Sequence, residues 1–367
     1  MARRGTIFGT LALLAALGGG PALADVTLGL AAPLSGSAAH IGEEMKLGMT
    51  AAIADLNARG GILHQKVALD VQDDGCEAKQ AVAAASRLVE HKVSFVFGHY
   101  CAAAALPASY LYAESGALAV TIASEPSVTE QGYDGLFRLA GRDDQQGKLL
   151  ADFLTRRFAG KRVAVLAERS AYGSDLAAAV RAGLARRNKV ETALDLPIDA
   201  GTKDFSRLIA QLKEARVDAV LYAGSPAAMA ALVKQAAAAG LKPQFLSGNA
   251  LGDRQFWDAS GDGAEGTLFT FMADATTLPS AHDVVAQLQT RGIDPQGYTL
   301  YGYAAVQLYA AAIERAQTLD PEAVALEFAK GSLVTVLGEI SFNDSGDNAA
   351  PDWRLYRWSN GRYRYAE

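Results

Sequence analysis

The sequence predicts an α/β fold made of two doubly wound parallel sheets. Short β-rich runs alternate with longer helical runs from residue 25 onward, and a second set of such units starts after Gly141. Three or more consecutive β-α units imply right-handed crossovers and a parallel sheet covered by helices on both faces. Two such sheets in one chain predict two lobes with a cleft between them.

The first set of units begins with an apolar run at 26–32, which predicts a strand. The next stretch, 42–57, has the spacing of an amphipathic helix and ends at Arg59-Gly60-Gly61. The same alternation then predicts strands at 67–72, 93–97 and 118–122 and helices at 77–90 and 102–114.

The second set predicts helices at 143–158, 174–187, 204–215 and 226–239 and strands at 162–167, 190–196, 217–222 and 244–247. The tail departs from strict alternation, with a strand at 267–271, a long helix at 301–318 and late strands at 339–342 and 353–358. We therefore expect the chain to cross between the lobes more than once. Ligands of open α/β sheets lie beyond the carboxyl ends of the strands, so the residues just after each strand are the first candidates for a site.

Length and charge limit the classes of function. The chain has 367 residues, enough for two or three domains, and 34 basic against 40 acidic residues give a formal charge of −6. It has no basic block that could neutralise a phosphate backbone, so nucleic acid is not an expected partner.

The first 24 residues have the features of a secretory signal peptide. Arg3 and Arg4 precede an apolar stretch at 7–17, and Ala22-Leu23-Ala24 forms a small-x-small cleavage site. Later alanine-rich stretches are too short to span a membrane. We expect an exported protein whose mature chain begins at Asp25.

The chain has two cysteines, Cys76 and Cys101. An even count in an exported protein favours a disulfide, with two free thiols or a metal pair as alternatives. The bond would close a loop of about 25 residues and stabilise the fold by roughly 3 to 4 kcal/mol.

The chemical motifs argue against an enzyme. The run Gly261-Asp262-Gly263-Ala264-Glu265-Gly266 spells a dinucleotide fingerprint, but it comes before a strand instead of after one and is interpreted as a surface turn. No phosphate-binding loop, nucleophile elbow or zinc-protease motif is present, and the five histidines never have metal-ligand spacing. No metal or cofactor is expected.

Three polar pairs are candidates for catalytic groups. His99 beside Cys101 could form a nucleophilic pair, but an oxidised cysteine is the better interpretation. Asp73-Asp74 and Asp143-Asp144 each follow a predicted element and precede a helix. Helix capping or loop closure is favoured over acid-base chemistry for both pairs.

Several local patterns follow one another in order: Pro33-Leu34-Ser35-Gly36 with Gly42, Gly60-Gly61-Ile62, Asp73-Asp74-x-Cys76, Gly98-His99-x-Cys101 and Gly141-x-Asp143-x-x-Gln146-Gly147. In these the chain closely resembles the periplasmic leucine/isoleucine/valine-binding proteins of ABC importers, from residue 25 to about 361. The resemblance implies a type I periplasmic binding protein with two lobes, three hinge crossings, and a disulfide at the positions of Cys76 and Cys101.

The resemblance also implies the ligand contacts. These are expected at Ile41, Tyr100, Cys101, Ala102, Ala103, Ala123, Ser124, Tyr172, Ser225, Asn249 and Tyr298. Ala102 stands where relatives carry a serine, and Ser225 where a tyrosine is usual. The amides of Ala102 and Ala103 at a helix start could still hold an anion.

The most informative departure is Asn249, which stands where amino-acid binders carry the acid that pairs with the ligand ammonium. Burying an ammonium opposite a neutral amide costs several kcal/mol, on the order of a lost charged hydrogen bond plus desolvation. Together with Ala102, Asn249 therefore favours a small carboxylate or another small organic solute without an ammonium group, unless Glu125, Glu168 or Asp253 substitutes for the missing acid. A branched-chain amino acid is the competing ligand.

By this resemblance the protein is a monomeric periplasmic binding protein that closes on a small solute and delivers it to an ABC permease. One lobe is expected to comprise 25–141 and 274–350, and the other 142–273 and 351–367. The alternatives are a sensory protein that presents the same closed lobes to a receptor, and a hydrolase using Asp73, Glu125 or His99.

Overall fold

The computed structural model describes residues 26–187, 189–252, 254–351 and 353–366. The predicted signal peptide at 1–24 and Asp253 lie outside the described residues. Within those ranges no helix combines the length and the apolar character needed to cross a membrane.

The chain starts with alternating strands and helices. They are β1 (Val26–Ala32), α1 (Ala39–Ala58), β2 (Val67–Asp73), α2 (Ala78–Glu90), β3 (Phe95–Gly98), α3 (Ala102–Ser115), β4 (Leu118–Thr121) and β5 (Leu136–Arg138). These strands form a parallel sheet in the order β2-β1-β3-β4-β5. This sheet with its helices is called the first lobe.

The chain then enters a second sheet. Its elements are α4 (Asp143–Arg157), β6 (Arg162–Glu168), α5 (Ala171–Arg187), β7 (Glu191–Ile198), α6 (Ser206–Glu214), β8 (Ala219–Ala223), α7 (Pro226–Ala238), β9 (Gln244–Ser247), α8 (Arg254–Ser260) and β10 (Leu268–Met272). All the pairings between these strands are parallel. This sheet with its helices is called the second lobe.

The tail visits both lobes. It contains α9 (His282–Thr290), α10 (Thr299–Ala316), α11 (Pro321–Ala329), β11 (Leu333–Thr335), β12 (Gly338–Ile340), β13 (Trp353–Ser359) and β14 (Arg362–Tyr365). Helix α10 packs along α1 in the first lobe, whereas β13 and β14 join the second sheet, whose order is β14-β13-β10-β9-β8-β6-β7. The chain therefore crosses between the lobes three times, which confirms the predicted architecture.

Close packing of α1 on α10 depends on glycine. A β-carbon at Gly48 would collide with the Thr299 carbonyl, and one at Gly302 would collide with the Met45 carbonyl. The two backbones approach so closely that only hydrogen fits at these positions. This contact fixes the returning tail to the first lobe.

Two features of the second sheet differ from the prediction of purely parallel sheets. Strand β13 runs antiparallel to β10, and β14 pairs antiparallel with β13. The pair is a hairpin whose turn residues Asn360 and Gly361 have φ values of 51° and 76°. A short hairpin needs no helical crossover, so an antiparallel edge can be added to a parallel sheet. The glycine run at 261–266 precedes β10, as predicted.

Candidate functional site

A cavity of about 290 Å³ lies between the strand-end loops of the two lobes. Its first-lobe wall consists of Ser37, Ala38, Cys76, Tyr100, Cys101, Ala102, Ala103, Ser124 and Glu125. Its second-lobe wall consists of Glu168, Ser170, Ala171, Tyr172, Gly224, Ser225, Pro226, Asn249 and Ala250. The space is that of about ten water molecules, which suits a small organic molecule.

Most of the candidate contacts lie in these walls. The cavity is lined by Tyr100, Cys101, Ala102, Ala103, Ser124, Tyr172, Ser225 and Asn249. The remaining three are not among its lining residues. Ile41 is buried in the core on α1, the Ala123 carbonyl accepts a hydrogen bond from Arg138, and Tyr298 packs edge-on against Tyr100 with ring centroids 5.3 Å apart.

The first-lobe wall is centred on the start of α3. Cys101 is the N-cap residue and provides no side-chain cap. The first N–H groups of the helix, at Ala102 and Ala103, have no partner within an α-helix and carry the positive end of the helix dipole. Ala103 is exposed and Ala102 buried, and both line the cavity. This helix start can accept an anionic group such as a carboxylate.

A disulfide joins Cys76 to Cys101 and confirms the pairing favoured by the sequence. The Cα atoms of the two cysteines are 5.4 Å apart. Because Cys76 follows β2 and Cys101 follows β3, the bond ties together the strand-end loops on either side of β1 at the cavity wall.

Beneath the disulfide, polar groups form a buried network. His99 Nδ1 lies 2.6 Å from an Asp74 carboxylate oxygen, and its Nε2 lies 3.2 Å from the Tyr112 hydroxyl. Asp74 also accepts a hydrogen bond from the Cys76 N–H, whereas Asp73 accepts from the N–H groups of Leu34 and Gly75. The acidic pair thus closes loops, as predicted, and neither carboxylate caps α2. His99 supports the wall from behind and does not line the cavity.

In the second-lobe wall, Glu168 occupies the end of β6. One of its carboxylate oxygens, Oε2, accepts hydrogen bonds from the Tyr222 hydroxyl at 2.9 Å, the Ser225 N–H at 2.9 Å and the Ser225 hydroxyl at 2.8 Å. The side chain is only 6% exposed. Burial and the negative charge of Glu168 raise the pKa of Tyr222, so this hydroxyl stays a donor.

Asn249 lies in the same wall, but its amide is bonded to protein groups. Its Oδ1 accepts a hydrogen bond from Gln146 at 3.2 Å, and its Nδ2 donates to the Tyr298 hydroxyl at 3.4 Å. Gln146 is itself held by Thr270 at 2.7 Å. Asn249 thus contributes a neutral, already hydrogen-bonded group to the cavity.

Glu125 and Asp143 form a pair of buried carboxyl groups where the first lobe joins the second. Burial and the charge of Asp143 raise the pKa of Glu125. Burial also raises the pKa of Asp143, although hydrogen bonds from Ser124 and Gln146 oppose this shift. Both shifts favour retention of a proton by the pair near neutral pH. As a helix residue, Asp143 follows the N-cap Arg142, so it does not fill the predicted capping position.

Arg138 fixes the crossing segments from within the core. The fully buried guanidinium donates to the Glu125 carbonyl at 2.8 Å and to Asp347 at 2.7 Å. The second oxygen of Asp347 accepts from Arg142 at 3.0 Å. These bonds hold the pKa of Asp347 below its ordinary value even though burial opposes the shift. The first and third crossings are thereby joined next to the cavity.

Several lining residues were absent from the sequence-based candidates. The sequence predicts Glu125 only as a substitute acid or as part of the alternative hydrolase, and Glu168 only as a substitute acid. It does not predict Ser37, Ala38, Ser170, Ala171, Gly224, Pro226 or Ala250 as contacts. Glu168 is the last residue of β6, and the others lie in loops or helix starts that follow strands of the predicted sheets. The general rule on strand ends would have found them. Within the described ranges, no group of three or more potential ligands could hold a metal ion.

Two lobes with a solute-sized cavity between their strand ends define the class of two-lobed solute-binding proteins. The family model of periplasmic binding proteins matches residues 25–362. The Leu/Ile/Val-binding protein homolog 1 of Brucella suis is 37% identical over 370 residues, covering 99% of this chain and 100% of the relative. The chain belongs to the periplasmic binding protein family.

Solved structures show the same fold. The leucine-binding protein LivK of Thermotoga maritima superposes with a TM-score of 0.85 at 24% identity, covering 93% of this chain and 98% of that one. LivJ of Streptococcus pneumoniae, in complex with isoleucine, gives a TM-score of 0.86 at 23% identity, covering 94% and 99%. The predicted type I periplasmic binding protein fold is thus confirmed.

Proposed function

We propose that this protein is the periplasmic solute-binding component of an ABC importer, and that it captures an aliphatic amino acid in the cavity between its lobes. The signal peptide at 1–24 exports the chain, and the protein acts as a monomer without chemistry of its own. The loaded form then docks on a permease in the inner membrane.

One observation carries this proposal: both lobes contribute strand-end loops to one cavity. A solute held there bonds to both lobes at once. It therefore binds the closed arrangement more tightly than an open one and shifts the population toward closure. A permease that recognises the closed form can then distinguish loaded from empty protein.

The moving bodies are proposed to be 25–141 with 274–350, and 142–273 with 351–367. The hinges lie near Gly141, at 272–274 and at 347–351. Support comes from sheet membership, since β1 to β5 precede the first hinge and β13 and β14 follow the third. The bond network of Arg138, Asp347 and Arg142 lies at two of these hinges.

The ligand class follows from the walls and the relatives. The start of α3 offers amide donors for a carboxylate, and alanine methyl groups give the cavity an apolar portion. The Brucella relative carries the name of a leucine, isoleucine and valine binder. The expectation of a ligand lacking an ammonium depended on Asn249 together with Ala102. Because Glu125 and Glu168 both line the cavity, it does not lack acidic groups, and a branched-chain amino acid becomes the favoured ligand.

Isothermal titration of the mature protein with L-leucine, L-isoleucine and L-valine tests this function. We expect saturable binding of at least one of them with one ligand per chain and a dissociation constant in the micromolar range or below. Ala102→Glu places a carboxylate at the α3 start and should abolish binding, whereas Glu114→Gln on the exposed far end of α3 is the control. Absence of binding to all three amino acids would contradict the proposed ligand class.

A further inference from the structure

We infer that Glu168 is the cation-binding group of the cavity and that it selects ligands carrying an ammonium group. This inference rests on the proposed function, because it assigns a role within the same cavity. It identifies a different side chain from the one expected at Asn249.

The two oxygens of the Glu168 carboxylate are bonded differently. All three of its hydrogen bonds among the described residues go to Oε2, from Tyr222 and Ser225. None of the ion pairs between described residues includes Glu168, and the side chain lines the cavity while only 6% exposed. An ionised carboxylate accepts at two oxygens, so Oε1 remains to bond a group inside the cavity.

The Glu168 carboxylate is also held in a fixed position. Ser225 is the N-cap of α7, so Oε2 is bonded at the positive end of a helix of 13 residues. Gly224 provides the space, because a β-carbon there would lie 2.7 Å from Oε2 and from the Glu168 β-carbon. The three donors and this glycine fix one oxygen and thereby the direction of the other.

The charges of the cavity lining also favour a cation at Glu168. Among the described residues, the cavity lining includes two acids, Glu125 and Glu168, and no lysine, arginine or histidine. The Glu125–Asp143 pair is favoured to retain a proton near neutral pH, so it competes weakly for a cation. A nearly buried carboxylate without a cationic partner is costly, and a bound cation removes that cost. An ammonium group on the ligand supplies both the charge and the hydrogen-bond donor.

Asn249 does not compete for this role. Its carbonyl oxygen already accepts a hydrogen bond from Gln146, and the amide carries no charge. The ammonium is therefore expected on the β6 side of the cavity, near Ser225, and not at the end of β9. A ligand with an ammonium at Glu168 and a carboxylate at the start of α3 joins the second lobe to the first.

The test compares two probes that differ in the ammonium group, L-leucine and 4-methylpentanoate, by calorimetric titration at pH 7. Wild-type protein should bind leucine at least tenfold more tightly than the analogue. Glu168→Gln should weaken leucine binding by about 10- to 100-fold, the range expected for a charged hydrogen bond, and leave the affinity for 4-methylpentanoate equal or higher. Glu168→Asp retains the charge and should restore part of the loss.

Glu191→Gln is the matched control. Glu191 begins β7 beside Arg162, at the opposite end of β6 from Glu168. It is exposed and pairs with Arg162 at 3.2 Å. The Glu191→Gln substitution removes the same charge from the same lobe and should leave the affinities for L-leucine and 4-methylpentanoate unchanged. Thermal unfolding of each variant confirms that it is folded.

The outcomes separate the inference from the proposed function. If Glu168→Gln binds leucine within threefold of wild type, or if wild type binds 4-methylpentanoate as tightly as leucine, Glu168 is not the selecting group, while solute binding itself stands. If wild type binds neither probe, the aliphatic ligand class is wrong, and the assignment of Glu168 to its ammonium is overturned with it.

Discussion

At the scale of single residues, buried charges determine both the crossing segments and the cavity. Arg138 has backbone and carboxylate acceptors around its guanidinium, so its charge is satisfied inside the protein. Among the residues that the structure describes, the hydrogen-bond donors to the Glu168 carboxylate all reach one oxygen, Oε2. A buried charged group with hydrogen-bond partners on all sides stabilises the fold. A charged group beside a cavity with partners on one side only can bind a ligand.

The Glu125–Asp143 pair predicts how stability depends on pH. The pKa values of both carboxyl groups are raised in the folded protein. Above about pH 4 the unfolded chain loses protons that the folded protein still retains at this pair. The free energy of unfolding should therefore fall as the pH rises from that range toward neutral. Glu125→Gln should make this fall shallower, by up to about 1.4 kcal/mol per pH unit.

Urea unfolding between pH 4 and pH 8 measures this dependence. The control is Glu322→Gln, since Glu322 is not buried and lies in the first turn of α11, far from the pair in sequence. Equal slopes for wild type and Glu125→Gln would refute the shared proton.

The site could be predicted from the sequence where it depended on strand ends, and less well where it depended on side-chain partners. Ser124, Tyr172 and Ser225 were predicted from the family resemblance, and each lies just beyond a strand that periodicity also predicts. The role inferred for Glu168 could not be found in this way. It depends on Tyr222 and Ser225, which are more than 50 residues away in sequence and adjacent only after folding.

At the scale of elements, the regular β-α units were predicted within a few residues, because apolar strands and amphipathic helices have clear periods. Three short strands were missed: Leu136–Arg138, Leu333–Thr335 and Arg362–Tyr365. The first two have three residues each, too few to show a period of two. The third is paired through the Asn360-Gly361 turn, a hairpin signal that the sequence does contain.

The disulfide is the clearest test at this scale. Replacing Cys76 and Cys101 by serine releases a loop with a sequence separation of 25 and should lower the free energy of unfolding by about 3 kcal/mol. Urea unfolding under oxidising conditions measures the loss. Wild type treated with a reductant should match the double variant. A change below about 0.5 kcal/mol would contradict a stabilising role for the bond.

At the scale of the whole molecule, three crossings link two lobes around one cavity. The first and third crossings are joined through Arg138, Asp347 and Arg142, at two of the proposed hinges. In the proposed closure, bending at these hinges would narrow the cavity mouth. The amine and the carboxylate of a ligand would each bond to one lobe and favour the narrow state.

The most direct measurement of this account is the distance between the lobes with and without ligand. Lys79 at the start of α2 and Lys203 after β7 are exposed positions near the strand ends of the two sheets. Fluorophores on cysteines at these positions, Lys79→Cys and Lys203→Cys, report that distance by resonance energy transfer. We predict that saturating L-leucine increases the transfer efficiency with the same midpoint as calorimetric binding. Leucine binding without any change in the transfer efficiency would contradict the proposed closure of the two lobes on the ligand.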